Sequence, residues 1–363
     1  MTTWPVTRIQ DLLGIELPIL QAPMAGAGGA DLAVAVAAAG GLGALPGAML
    51  GPEQVRAQVA SIRARTANAA KKTIPLNLNF FCHRASPIDA EHEARWRERL
   101  EAYYVELGVN PQGAPPASGR APFDAAMCAV VEEVRPEVVS FHFGLPDAEL
   151  IERVRAAGAK ILSSATTVAE ARWLEEKGCD AIIAQGAEAG GHRGMFLSDD
   201  TAAQVGTFAL VPQMVDAVAV PVIAAGGIAD ARGIVAAFAL GASAVQIGTA
   251  YLFTPEATLS APHRAALRAS RDDSTTLTNV FTGRPARGMA NRLVREVGPM
   301  SPLAPAFPRA SIAVAPLRAA AEAAGSVDFS PLWAGQAASL APSLPAGELT
   351  KRLAAEALAK LGR

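Results

Sequence analysis

Eight times along this chain a short apolar run ending in glycine or a polar residue is followed by a helix-like stretch and a glycine turn. No other feature narrows the fold so far, because alternating β and α units with near-continuous apolar strands demand a parallel sheet covered by helices. The runs are "LPILQAPM" (17–24), "LGALPG" (42–47), "IPLNLNF" (74–80), "VVSFHFG" (138–144), "KILSSAT" (160–166), "AIIAQG" (181–186), "VPVIAAGG" (220–227) and "AVQIGTA" (244–250). Between most of them lie helical stretches such as "PEQVRAQVASIRART", "DAELIERVRAAG" and "VAEARWLEEKG", several closing on a C-capping glycine. Eight such units predict an α/β fold of the (β/α)8 TIM-barrel type, with a doubly wound sheet as the structural runner-up.

Two segments break the repeat. Residues 81–137 are too long for a simple crossover and hold a charged helix ("DAEHEARWRERLEAYYVEL") and a Pro/Gly loop ("NPQGAPPASGRAP", 110–122). Beyond Pro255 come a helix-like "HRAALRASR", a basic loop "TGRPARGMANR", a proline-rich turn and a final amphipathic helix. The expected organisation is therefore a barrel over 1–254 with an insertion at about 81–137, and a smaller, mostly helical domain over 255–363. The last helix is expected over the barrel mouth.

Charge then narrows the function. The chain carries 32 basic and 34 acidic side chains and no long Lys/Arg run, so it has no electrostatic footprint for nucleic acid, and a small-molecule ligand becomes the expected partner. A homo-oligomer is left open. Cys82, Cys128 and Cys179 form no CxxC pair and their odd number cannot all enter internal disulfides, which points to a reducing cytoplasm. The five histidines show no HxxxH or HExxH spacing, so no metal is expected, and the adjacent Cys82 and His83 read as loop residues without chemistry. The N-terminus has no basic region followed by an apolar core, and no secretory signal is expected. Two uncharged stretches, 32–52 and 233–255, have the length of membrane spans, but glycines, prolines and polar residues interrupt them; each reads as an Ala-rich helix, a turn and a buried strand.

A β/α barrel builds its active site at the C-terminal ends of its strands. There the sequence supplies Gln21, Pro23, Met24 and Gly26, then Asn77 and Asn79, then His142, then Gln185. The seventh and eighth runs lead into Gly226, Gly227, Gly248 and Thr249, and loops in those places commonly offer bare backbone amides to a phosphate. Carboxamides such as Asn77 and Gln185, with a polarizable Met24, suit the edge and face of a planar heterocycle such as a flavin; the alternative is hydrogen bonding inside the barrel alone. The most unusual segment is "AEAGGHRG" (187–194), where His192 and Arg193 sit in nearly bare backbone.

Together "QAPMAG", "NLNFF", "AQGAEAGGHRG", "AAGGIADARGIVAAFALGASAVQIGTAYL", "GRPARGMANR" and "WAGQAA" strongly resemble the FMN-dependent nitronate monooxygenases, formerly 2-nitropropane dioxygenases, of class I. The match keeps its order from Gln21 to Ala338. The resemblance implies a TIM barrel with a small helical domain and non-covalent FMN, held by Met24, Asn77, Gln185, Gly190, Gly227, Gln246, Gly248 and Thr249. It implies His192 as the active-site histidine and His142 as a second histidine of the site. The implied reaction oxidises alkyl nitronates such as propionate 3-nitronate with molecular oxygen to a carbonyl compound and nitrite, one electron passing from nitronate to FMN. In that frame Gly190 and Gly191 let the loop approach the flavin, and His192 takes a proton from a nitroalkane or, as a cation, holds the nitronate. Arg193 is read as a brace for the loop. One departure stands out: the family's entrance tyrosines are missing, since "SPLAPAFPRAS" carries Phe307 and no tyrosine follows Tyr251. The enzymatic rival is an FMN-dependent NAD(P)H reductase of the enoyl-acyl carrier protein or quinone reductase type. A non-catalytic flavin binder is the rival from another class.

Overall fold

The structure, a computed structural model, describes residues 4–67, 74–111 and 120–362. Its strands in chain order are β1 (Ile19–Gln21), β2 (Gly43–Pro46), β3 (Leu76–Phe81), β4 (Val138–His142), β5 (Lys160–Ala165), β6 (Ala181–Gln185), β7 (Gly191–His192), β8 (Val222–Ala225), β9 (Ala244–Ile247), β10 (Thr275–Thr278) and β11 (Ala286–Met289). Eight of them form one parallel sheet in the order β1-β9-β8-β6-β5-β4-β3-β2. Its edges meet: Leu20 bridges Leu42 in parallel, and Leu42 N–H donates to Ile19 O at 3.0 Å. That closure makes a barrel and excludes the doubly wound alternative. Each of the eight apolar runs holds the start of one barrel strand. Except for β3, which runs one residue further to Phe81, the strands lie within the runs, and several stop short where the chain leaves extended geometry, as at Gly226 (φ +111°) and Gly227 (φ +71°).

Side-chain alternation divides the barrel into an outside and an inside. On β3, Leu76, Leu78 and Phe80 join the main core beneath the outer helices, while Asn77, Asn79 and Phe81 take the other face. The inner face changes character along the strands. Val138, Leu162, Ala181, Ile223 and Ala244 form an apolar plug with Ile9 and Leu13 of the N-terminal helix Arg8–Leu13. Above them, on the same faces, come Ser140 and His142, Ser164, Gln185, and Gln246. The barrel is thus dry at one end and polar at the other, and the polar end is where the strands terminate.

A second core belongs to the cap. Trp96, Tyr103 and Tyr104, from helices Ala90–Arg99 and Glu101–Leu107, and Leu100 at their junction are buried with Val280, Leu293, Val314, Leu317 and Phe329. Tyr104 O–H donates to Ala313 O at 2.6 Å and Trp96 Nε1–H to Ala310 O at 3.2 Å, tying these helices to Ala310–Ala323. The insertion and the C-terminal region therefore share one core. Helix Ala125–Val134 returns to the barrel wall, and most of the Pro/Gly loop expected over 110–122 lies outside the described residues.

The final helix, Ala346–Lys360, is not over the mouth. It packs against helices Ala30–Ala38 and Ala231–Ala239, with Leu349, Leu353 and Ala357 in the main core and Thr350 Oγ1 2.8 Å from Tyr251 Oη. Only the four-residue helix Thr249–Leu252 follows β9 directly, so the outer ring has a gap that this helix fills. Amphipathicity showed that the helix needs a surface; it did not say which. Among the described residues no helix is long and apolar enough to cross a membrane, and both uncharged stretches contain a helix and a strand.

Candidate active site

The polar end of the barrel opens into a cavity of about 490 Å³. Its floor is the inner face of the strands, including Asn79, Ser140, His142, Ser164 and Gln246, and its roof includes Leu332, Trp333 and Gly335 of the cap.

The segment carrying His192 crosses between floor and roof. Its strand β7 pairs antiparallel with β11, Ala286 opposite His192 and Arg287 opposite Gly191, and Arg193 N–H donates to Pro285 O at 2.8 Å. This gives the basic loop "GRPARGMANR" its role as a β-partner for the histidine segment. Its arginines add clamps: Arg284 bonds Met195 O and lies 4.0 Å over the Phe143 ring, and Arg287 Nε–H donates to Ala187 O at 2.8 Å. From the other side Arg193, fully buried, donates to Gln185 O, Gly186 O and Gln204 Oε1 at 2.7–2.8 Å, the bracing expected of it.

The backbone of His192 is held as firmly as its neighbours. Its carbonyl accepts from Gln185 Nε2 at 2.9 Å and faces His142 Nε2 at 3.2 Å, while Gln185 Oε1 accepts from Gly194 N–H at 2.7 Å. A carbonyl only accepts, so His142 carries its proton on Nε2, and its Nδ1 accepts from the Ser164 hydroxyl at 2.6 Å. Burial lowers the His142 pKa to about 3, against the opposing pull of the His192 carbonyl.

The His192 ring lies among Phe81, Phe143, Phe307 and Trp333, with centroids 5.3 Å and 5.4 Å away for the last two. Burial in that enclosure, then the positive charges of Arg120 and other neighbours, pushes its pKa well below the usual 6.5. The imidazole is neutral at neutral pH, which favours the proton-accepting form over the cationic one. Its Nε2 is 3.0 Å from Thr282 Oγ1, and its Nδ1 has no partner among the described residues. When Thr282 turns its one proton to Arg284 O, 3.4 Å away, Nε2–H donates to Thr282 and Nδ1 keeps its lone pair.

Met24, Gln185, Gly190, Gly227, Gln246, Gly248 and Thr249 all line the cavity with His142 and His192; Asn77 does not. It lies one layer below Asn79, 1% exposed, and both atoms of its carboxamide lack a partner among the described residues, as does Gln246 Oε1. Gln185, by contrast, is committed to the histidine segment, and Asn79 Nδ2 bonds Ser140 O and Oγ at 3.1 and 3.0 Å. Gln246 thus brings an unpaired acceptor to the cavity wall, and Asn77 keeps an unpaired donor and acceptor one layer below it. The positive φ of Gly226 and Gly227 turns the loop after β8, and Thr249 Oγ1 accepts from Gly335 N–H at 2.9 Å while its own proton stays available.

Gly190 also meets the cap. A β-carbon there would lie 2.6 Å from Ala334 C and Gly335 N, so its bareness admits the cap chain, while the residue itself lines the cavity.

Sequence reasoning missed Phe81, Phe143, Ser164, Thr282 and Arg120. Phe81 was within reach, being two and four residues beyond Asn79 and Asn77 on one strand face. Cys82 and His83 follow β3 directly, and the buried His83 ring packs edge-on to Phe307 at 4.8 Å beside the site.

The family model described as nitronate monooxygenase matches residues 6–356. A nitronate monooxygenase of Paraburkholderia phytofirmans is 44% identical over 348 residues, 95% of this chain and 93% of that protein. One of Pseudomonas aeruginosa is 41% identical over 355 residues, 96% and 98% of the two chains. Among solved structures, a nitroalkane oxidase from Streptomyces ansochromogenes superposes with a TM-score of 0.87 at 39% identity, covering 98% of this chain and all of the other.

Proposed function

Because the chain belongs to the nitronate monooxygenase family, we propose that it oxidises alkyl nitronates of the propionate 3-nitronate type with molecular oxygen, giving a carbonyl compound and nitrite, with FMN bound non-covalently. The observation that carries this reading is His192: a neutral imidazole with an open Nδ1, fixed at the cavity by a carbonyl held from two sides. Neutral imidazole can accept the α-proton of a nitroalkane or, once protonated, donate to the nitro oxygens of the nitronate. A bound anion would raise the pKa that burial lowers, so the proton would be retained while the nitronate is bound.

The residues suit a flavin. Among the described residues Asn77 holds a buried, unpaired donor and acceptor beneath the cavity and Gln246 an unpaired acceptor, Met24 offers a polarizable surface, and the loops at Gly226–Gly227 and Gly248–Thr249 offer backbone amides and a hydroxyl to a phosphate. FMN, when bound, would supply the one-electron chemistry with oxygen that no side chain can. The chain's own contributions are placement, exclusion of water by the Phe81, Phe143, Phe307 and Trp333 rings, and the His192 proton site. Within the same proposal, His142 positions the His192 carbonyl and takes no proton from substrate, since Ser164 and that carbonyl occupy both of its ring nitrogens. The three free thiols favour a reducing, cytoplasmic setting.

The test is oxygen uptake by the purified yellow protein on adding propionate 3-nitronate without NAD(P)H, followed by a nitrite assay. Uptake with matching nitrite supports the proposal. Flavin reduction by NAD(P)H, with no response to nitronate, would move the chain to the reductase reading.

A further inference from the structure

Around the site, most arginines have their charge or their N–H groups taken up. Arg193 has three acceptors, Arg284 the Met195 carbonyl and the Phe143 face, Arg287 the Ala187 carbonyl and the Thr275 hydroxyl, and Arg318 the Glu322 carboxylate at 2.7 Å. Arg120 differs. It lines the same cavity as His192, yet its guanidinium has neither a hydrogen bond nor a carboxylate partner among the described residues. Its backbone is anchored, with N–H donating to Ala48 O at 2.7 Å and φ at +74°, against the segment that also brings Met49 to the cavity.

The surrounding charges do not neutralise it. Arg318 also lines the cavity and its charge bears on Arg120, while Glu322 is already engaged by Arg318 and by Ser330 Oγ at 2.7 Å. Glu188, the other carboxylate on the cavity wall, accepts from Thr207 N–H and Oγ1–H at 2.8 Å. An arginine partly withdrawn from water without a counter-charge is costly, and an anion that reaches it removes that cost.

We infer that Arg120 determines substrate specificity: its guanidinium binds a carboxylate at the far end of the nitronate, so the preferred substrates are nitronates bearing a second anionic group. This rests on the nitronate reading above for the identity of the reacting head. His192 meets that head within the aromatic enclosure, and Arg120 meets the tail, which sets the substrate's direction in the cavity.

The test is anaerobic calorimetric titration of the full-length, flavin-loaded protein with 3-nitropropionate and with 1-nitropropane, which lacks the carboxylate. The carboxylate compound is expected to bind about 30-fold more tightly, as a charge-assisted hydrogen bond allows, with the preference shrinking as salt is added. Arg120→Gln is expected to abolish the preference and Arg120→Lys to keep part of it; the Lys variant also serves if the Gln variant fails to fold. Equal affinities in the unaltered protein, or an equal loss for both compounds in the variants, would overturn the assignment, the latter by placing Arg120 at the nitro head. Oxygen uptake separates this from the parent reading. Binding through Arg120 without oxygen consumption would remove nitronate oxidation and leave the anion site, whereas oxygen consumption with the preference intact in Arg120→Gln would remove the anion site alone.

Discussion

The floor and the roof of the cavity are built by different rules. On the floor, strand geometry decides which side chains point inward, so Ser140 and His142, or Asn77, Asn79 and Phe81, share a face because they are two residues apart. In the roof no period operates. His83, Arg120, Thr282, Phe307 and Trp333 come from distant parts of the chain and meet only because the cap folds. The His192 segment belongs to both, with floor residues Gln185 and His142 holding its carbonyl and roof strand β11 holding its backbone. The floor is a scaffold that fixes direction, and the roof is a fit that depends on contact.

The largest expected effect falls where the two meet. His192→Asn should lower kcat/KM for a nitroalkane about 10²- to 10⁴-fold, the usual range for a lost acid–base group, with flavin absorbance retained. Turnover within twofold of normal would show that the enclosure matters more than the imidazole.

Next comes a roof contact. Gly190→Ala puts a β-carbon 2.6 Å from the Ala334 and Gly335 backbone, which cannot rotate away. We expect a loss of about 1–3 kcal/mol in unfolding free energy, as for other overpacking changes, together with reduced activity. Unchanged stability would mean that the cap moves freely over the loop, contrary to a fitted roof.

A floor change should act in the opposite sense. Asn77→Leu removes a buried carboxamide with no partner among the described residues, so the flavin-free protein should gain up to about 1–3 kcal/mol while flavin affinity falls. Urea titration with and without FMN would reveal this crossing. A variant that binds FMN normally would free Asn77 from the cofactor role.

The effect smallest for any one residue is spread over both regions. Burial lowers the pKa of His142 on the floor to about 3, and those of His83 and His263 to about 4, with His192 also well below 6.5. The unfolded chain therefore binds more protons between about pH 6.5 and the folded values; stability is full above that window and declines as pH falls through it. The urea midpoint should drop between pH 6.5 and 5, and His263→Asn should make the drop shallower. A midpoint flat over this interval would mean that these imidazoles are solvated in the folded protein.

Legibility in the sequence follows the same division. All eight barrel strands announced themselves, because a strand buried on both faces must be an apolar run and a helix must cover it. His192, Gly227 and Gly248 could be read because strand ends have a known place in a barrel. Arg120 gave no signal within a Pro/Gly loop, and Gly190 gave an incomplete one, since a bare backbone does not say that the cap chain also approaches it. The final helix showed the same limit: its apolar positions 349, 353 and 357 specify burial, and only the gap left after β9 specifies where.

That last helix bears on how the protein is made. The chain builds its barrel strands, leaves to complete a cap begun by the insertion after β3, and returns only with Ala346–Lys360 to cover helices Ala30–Ala38 and Ala231–Ala239. On the ribosome those two helices emerge long before their cover, so an apolar seam on the nascent barrel stays open until Ala346–Lys360 is made. A chain lacking Ala346–Lys360 would keep all eight strands and have an unsealed flank, a substrate for chaperones and proteases.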